Sequence, residues 1–197
     1  MTIWYDQPSY SEPVNAMFLL DHGFQYVHYE RIAHIIDNLS YIPRSRKALE
    51  NAHIYLDDKF VYKIFSNKIA GKKILAGIYK GFYDLTLVPA LIGIVFQNNL
   101  PMGYIMHRCD TIERSFEPFI EILMERTKKT NLFFPDVVCG HFRSFCERVT
   151  LIDLEGIYHV VEKAPNFNFG PYGIRLPKNK MYENLVLELR REYVSKN

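Results

Sequence analysis

The chain has 197 residues, of which 48% are hydrophobic and 23% are charged, a composition typical of a soluble globular protein with a real core. Its net charge of +2 is too small to indicate a nucleic-acid-binding protein, which would carry a clustered basic face. The three cysteines form no C-x-x-C pair, which argues against a disulfide framework or a cysteine zinc site and favours a reducing compartment. No apolar run reaches the length of a membrane span, so we expect a cytoplasmic protein.

The N-terminal part of the chain predicts two helices followed by a hairpin. The stretch Ser11–Gly23 has an N-cap serine, a proline in the first turn and a terminal glycine, which predicts a short helix. Residues 29–39 place isoleucines and a leucine on one helical face. Residues 52–65 form two β-rich runs around Asp57 and Asp58, the clearest hairpin pattern in the chain.

The remaining patterns alternate between helices and strands. Helical spacing continues over residues 67–84 and 111–129, and residues 87–109 predict two strands joined by the turn QNNLP. Short strands and loops are expected over 131–156, a loop over 164–177 and a terminal helix over 179–194. The order of these elements predicts an α+β fold with two lobes, residues 1–107 and 108–197, that form one domain.

Three charged residues stand in β-rich or aromatic surroundings. Lys63 lies inside the strand FVYKIF, Asp136 follows an aromatic run in FFPDVVCGHF, and Asp153 ends the strand of VTLIDLEG. A strand lysine can extend its ammonium to water, and an acid after a strand commonly forms a turn or caps a helix. The alternative is a cation and two carboxylates that meet in a cleft around a nucleotide.

The serial order of these segments resembles the protein-kinase-like superfamily, over roughly residues 40–160. VYKIF resembles the strand that carries the phosphate-binding lysine, GYIMHRCD the hinge, PDVVCGHF the catalytic loop and IDLEG the metal-binding motif. The chain would be a divergent, minimal member, nearer to bacterial and small-molecule kinases. The resemblance implies a small β-rich lobe followed by a reduced, mainly helical lobe.

The resemblance also implies a role for each matched residue. Lys63 would hold the α- and β-phosphates of ATP, and Asp136 would orient the acceptor hydroxyl and take its proton. Asp153 would bind Mg²⁺, and His141, at the position of a metal-binding asparagine, would favour Mn²⁺ if it is a ligand. Adenine would bind to backbone groups of three hinge residues, Met106, His107 and Arg108.

The sequence departs from the family pattern before and after Lys63. The segment SYIPRSRKALEN contains no glycine-rich loop, so Arg46 and its basic neighbours either grip phosphates with side chains or form an exposed turn. The helix after Lys63 contains no glutamate, which leaves Asp84 as a weak candidate for the lysine's partner. Glu155 is either a second metal ligand or a solvated residue, and we expect it to be solvated.

The leading hypothesis is an ATP-dependent phosphotransferase that uses Mg²⁺ or Mn²⁺ and passes the γ-phosphate to a hydroxyl of a protein or small molecule. The alternative is a pseudokinase that binds a nucleotide or a protein without turnover. An unrelated α+β binding protein is the third possibility. The sequence does not identify the phosphoacceptor.

Overall fold

A computed structural model describes residues 15–41, 52–112, 117–130, 132–134, 139–159, 167–169 and 174–176. These residues form a mixed α+β structure, which confirms the predicted fold class. Helices and strands are numbered below in chain order. The predicted terminal helix over 179–194 lies outside the described residues.

A six-stranded sheet in the order β1-β5-β6-β4-β3-β2 forms the centre of the structure. All neighbouring strands are antiparallel except β1, which pairs parallel to β5. Strands β1 and β2 were not predicted from the sequence. The strands are β1 Gln25–His28, β2 Ser40–Tyr41, β3 Ala52–Leu56, β4 Phe60–Phe65, β5 Leu91–Gln97 and β6 Leu100–His107.

Two hairpins of this sheet confirm the sequence predictions, and each is closed by side chains suited to turns. Between β3 and β4, Asp57 Oδ1 accepts hydrogen bonds from the backbone N–H groups of Lys59 and Phe60, at 2.7 and 2.6 Å. Between β5 and β6, Asn98 and Asn99 adopt positive φ angles of 51° and 61°. Asparagine tolerates this left-handed region, which two-residue hairpin loops require.

Alternation along β4 divides the side chains between the two faces of the sheet. Tyr62 and Ile64 pack with helix α2, Tyr29–Ile36, in one hydrophobic cluster. Phe65 belongs to a larger cluster on the opposite face. Because strand side chains alternate with a period of two, Lys63 shares this second face with Phe65. The lysine is therefore directed into the main core.

Helix α3, Lys68–Tyr79, covers this second face and begins at Asn67, whose Oδ1 accepts a hydrogen bond from Ile69 N–H at 2.9 Å. Gly71 lies where the helix meets β6, because a Cβ at this position would be 2.3 Å from the Pro101 carbonyl oxygen. This glycine weakens helical propensity, but it permits the close approach of helix and strand.

The N-terminal helix α1 spans Ala16–Asp21 and is capped by Asn15, whose side chain accepts from Phe18 N–H at 2.8 Å. The predicted cap Ser11 is therefore wrong for this helix. Gly23 follows the helix with φ +82°, which confirms the predicted glycine stop.

After residue 107 the described chain contains one helix and three two-stranded sheets. Helix α4, Glu117–Thr130, contributes Phe119, Ile120 and Leu123 to the main core. Residues 164–177 were predicted as a loop, but two strands pair there across the Gly-Pro-Tyr-Gly segment. The strands are β7 Leu132–Phe133, β8 Phe142–Phe145, β9 Arg148–Leu151, β10 Tyr158–His159, β11 Phe167–Phe169 and β12 Ile174–Leu176.

One hydrophobic core joins the two halves of the chain. Its main cluster combines residues of β5, β6 and α3 with Phe142, Leu151, Leu154 and Ile157 from beyond residue 107. The segments before and after the predicted lobe boundary are thus packed against each other. No helix in the described ranges is long and apolar enough to cross a membrane.

We expect Gly71→Ala to destabilise the protein, because the added methyl group would force α3 away from the Pro101 carbonyl. The loss should be about 1–3 kcal/mol in the free energy of unfolding, despite the better helical propensity of alanine. Gly140→Ala is the control, since nothing lies within 4 Å of a Cβ at that position. Urea unfolding of both variants measures the difference, and equal stabilities would contradict the proposed close contact.

Candidate functional site

Lys63 is almost completely buried, with 2% of its surface exposed. Its Nζ lies 5.8 Å from the ring centroids of both Phe65 and Tyr104, and Tyr104 is its cross-strand neighbour on β6. An ammonium in such surroundings is costly unless it is paired and hydrogen-bonded. The lysine does not extend its head group to water, so its partners determine its role.

Two carboxylates bind the Lys63 ammonium. Nζ donates to Oδ1 of Asp153 and to Oε1 of Glu155, which lie 90 and 92 residues further along the chain. The expectation that Glu155 is solvated was therefore wrong. Asp84, the weak candidate for the lysine's partner, instead binds Arg126.

The backbone after β9 explains how both acids reach one ammonium. Asp153 has φ 66° and ψ 50°, a left-handed conformation that aspartate adopts more readily than most residues. The chain then enters a single 3-10 turn, Leu154–Gly156, in which Leu154 is fully buried. The Tyr83 hydroxyl donates to the Leu154 carbonyl oxygen at 2.7 Å. This anchoring fixes the residues on either side of Leu154.

Gly156 has a packing role rather than a conformational one. A Cβ at this position would come within 2.8 Å of the Phe134 ring. The turn away from the strand takes place at Asp153, whose φ is positive. The glycine allows the segment to lie directly on the aromatic ring.

His141 is next to the outer oxygen of Asp153. It ends the 3-10 turn Cys139–His141, and its Nε2 lies 3.3 Å from Asp153 Oδ2. The His141 carbonyl accepts from Ile152 N–H at 2.8 Å, which ties the start of β8 to the end of β9. The structure therefore brings Lys63, Asp153, Glu155 and His141 into one continuous polar cluster.

Burial and charge act differently on the two carboxyl groups. Burial alone would raise the pKa of Asp153, but the Lys63 ammonium and His141 hold this pKa below its usual value. Burial raises the pKa of Glu155, the Asp153 carboxylate adds to this rise, and Lys63 opposes it. Asp153 is thus the acid that more readily carries the negative charge beside the lysine.

The donor atoms at this cluster fit a hard divalent cation. Carboxylate oxygens are the ligands that Mg²⁺ prefers, and Asp153 Oδ2 faces His141 rather than Lys63. Glu155 Oε2 is buried and has no hydrogen-bond partner within the described ranges. No group of three or more metal-binding side chains is already assembled among the residues that the structure describes.

The predicted hinge lies at the end of β6, where several backbone groups are already used. His107 N–H donates to the Ala90 carbonyl and Arg108 N–H to the Lys59 carbonyl, both at 2.8 Å. Met106 is buried between Val61 and Leu91 in the sheet. One residue further on, the Arg108 carbonyl and the Cys109 N–H form no backbone hydrogen bond with another described residue, so they are more available to an adenine ring.

Two of the predicted site residues belong to segments other than those described. Asp136 and Arg46 both lie outside the described residues. Asp136 is nevertheless close in sequence to two described segments, residues 132–134 and 139–159.

No protein-family model and no curated protein matches the sequence. Among solved structures, the chain is similar to the streptomycin-ATP-APH(2")-IIa ternary complex, with 12% sequence identity and a TM-score of 0.39. The similarity covers 76% of this chain and 75% of that chain.

Removing the ammonium should leave two partly buried carboxylates without their cation. We expect Lys63→Met to lower the free energy of unfolding by about 3–5 kcal/mol at neutral pH, because an uncompensated buried charge is costly. The double variant Lys63→Met/Glu155→Gln should recover part of this loss, since it removes one of the two carboxylate charges left without a cation. Urea unfolding of both variants measures the effect.

Lys59→Met is the matched control, because Lys59 is an exposed lysine in the turn directly before the same strand. Its effect should stay within about 0.5 kcal/mol. A Lys63→Met protein as stable as this control would show that the ion pair contributes little to folding.

Proposed function

We propose that the chain is an ATP-dependent phosphotransferase that passes the γ-phosphate to a hydroxyl group. The observation that carries the proposal is the buried contact between Lys63, in the middle of the central sheet, and Asp153, directly after β9. Phosphoryl transfer needs a fixed cation for the phosphates and a carboxylate for a metal ion, held a short distance apart. This pair supplies both kinds of group on rigid elements.

Lys63 would bind the α- and β-phosphates after exchanging its contact with Asp153 for phosphate oxygens. Its surroundings favour such a role, because a fixed charge in a largely dry site interacts with phosphate more strongly than one at the surface. Arg46, in the basic stretch before β3, would add a second cation to the phosphates.

Asp153 would hold the metal ion, with His141 as a second ligand at its outer oxygen. A bound Mg²⁺ or Mn²⁺ would neutralise charge on the β- and γ-phosphates. The Lys63 ammonium holds the pKa of Asp153 below its usual value, which favours the ionised carboxylate that a metal ion requires.

The remaining roles are the binding of the adenine ring and the activation of the acceptor hydroxyl. The adenine would bind along Met106, His107 and Arg108, with the Arg108 carbonyl and Cys109 N–H as its hydrogen-bonding groups. Asp136 would orient the acceptor hydroxyl and take its proton, so that positioning and charge neutralisation supply most of the rate gain. Residues 1–107 would form the nucleotide-binding lobe and 108–197 the acceptor-binding lobe.

ATP should stabilise the protein only when a divalent metal ion is present. At concentrations near a hundredfold above the dissociation constant, the expected increase in Tm is roughly 5–10 °C. Asp153→Asn should abolish the metal dependence, and it preserves the backbone because asparagine tolerates the left-handed region. Asp58→Asn, at an exposed turn, is the control.

The outcomes of this thermal-shift titration separate the hypotheses. Metal-dependent stabilisation together with ADP formation in the presence of hydroxyl compounds supports the phosphotransferase. Stabilisation without any transfer would favour a nucleotide-binding module that has lost turnover. No response to ATP with either metal would end the proposal.

The imidazole of His141 should make the site prefer Mn²⁺, because nitrogen ligands suit softer ions better than Mg²⁺. We expect the wild-type protein to reach half of its ATP-dependent stabilisation at a lower concentration of Mn²⁺ than of Mg²⁺. His141→Asn should reduce this preference, whereas His34→Asn, on the exposed side of α2, should not. If His141→Asn leaves both metal titrations unchanged, His141 is not a ligand.

A further inference from the structure

A phosphate-binding lysine needs a carboxylate that stays with it when the nucleotide and metal arrive. A metal ion at Asp153 would compete with the Lys63 ammonium for the charge of this carboxylate, so Asp153 alone is not expected to hold the lysine once the metal is bound. A second acid must therefore hold Lys63, and the described chain offers few candidates for that role.

Helix α3 does not supply this acid. Its twelve residues, Lys68–Tyr79, include no aspartate or glutamate. The next acid, Asp84, binds the Arg126 guanidinium and accepts from the backbone N–H groups of Thr86 and Leu87. Asp84 is therefore committed to fixing the loop after α3.

Glu155 is the acid that can hold Lys63 when Asp153 binds a metal ion. Its Oε1 accepts from Lys63 Nζ, and its Oε2 is buried without a hydrogen-bond partner among the described residues. The residues next to it are fixed, because Leu154 and Ile157 are fully buried and Gly156 lies against the Phe134 ring. Asp153 is less restricted to the lysine, since its second oxygen faces His141.

The geometry points to Glu155 as the positioning residue that holds Lys63, in place of the missing helix glutamate, while Asp153 is released to the metal. The assignment rests on the proposed function. It gives different roles to two acids that lie two positions apart. Glu155 keeps its contact with the Lys63 ammonium, and Asp153 exchanges its contact with the ammonium for a metal ion. It also predicts that Lys63 stays fixed when Asp153 is removed.

The first test needs no enzymatic activity. The rate at which an amine-reactive ester acylates Lys63, followed by peptide mass spectrometry, reports how often the ammonium leaves its partners. Glu155→Gln should raise this rate about tenfold, and by a larger factor than Asp153→Asn, which leaves the Glu155 contact in place. Glu147→Gln, at the exposed turn between β8 and β9, is the control and should have no effect.

Glu155→Asp keeps the charge on a shorter side chain and should give an intermediate rate, which also covers the case in which Glu155→Gln fails to fold. Faster acylation in Asp153→Asn than in the Glu155 variants would overturn the assignment, because Asp153 would then be the residue that holds the lysine. Unchanged acylation in both Glu155 variants would overturn it as well.

The second test uses turnover and separates this inference from the proposed function. If the wild-type protein transfers phosphate, Glu155→Gln should lower kcat about tenfold, and Lys63→Met/Glu155→Gln should be no slower than Lys63→Met. If the double variant loses kcat by the product of the two single losses, Glu155 and Lys63 act independently and the assignment is wrong. The assignment is also wrong if excess Mg²⁺ restores the kcat of Glu155→Gln, because Glu155 would then act on the metal. A wild-type protein without transfer contradicts the proposed function, and the acylation rates still decide which acid holds Lys63.

Discussion

The ion pair between Lys63 and the acids after β9 is the constraint around which the rest of the structure is organised. A lysine in the middle of a central strand, on the face that meets the main core, is tolerated only if opposite charge is brought to it. That charge comes from a segment 90 residues away. The pairing therefore requires that the β8–β9 hairpin, the 3-10 turn after it and the sheet be packed as one unit, as the shared hydrophobic cluster shows.

Sequence patterns could predict the elements that are determined by residues close together in the chain. The β3–β4 hairpin is set by Asp57 and its neighbours, and the β5–β6 turn by two asparagines that accept positive φ angles. Strand β1 was missed because four residues with no clear alternation become a strand only by pairing parallel to β5, far along the chain. The hairpin after residue 166 was missed because its glycines and prolines indicated a loop.

The same distinction applies to the candidate site. Lys63 and Asp153 could be singled out from their neighbours, since a charge inside or directly after a β-rich run calls for an explanation. The contact of Glu155 could not be predicted in this way, because an acid beyond a strand end is usually solvated. Its direction depends on the left-handed backbone at Asp153 and on the burial of Leu154, and both follow from tertiary packing.

The close packing of Gly77 allows helix α3 to influence the position of the partners of Lys63 indirectly. A Cβ at Gly77 would lie 2.6 Å from the Tyr83 ring, so the helix surface sets where that ring can sit. The hydroxyl of the same tyrosine holds the Leu154 carbonyl, midway between the two acids. The helix thus acts on the lysine through steric contact rather than through a charge of its own. A small shift of α3 would be transmitted to both carboxylates together, which makes the shape of one aromatic ring a determinant of the electrostatics around the ammonium.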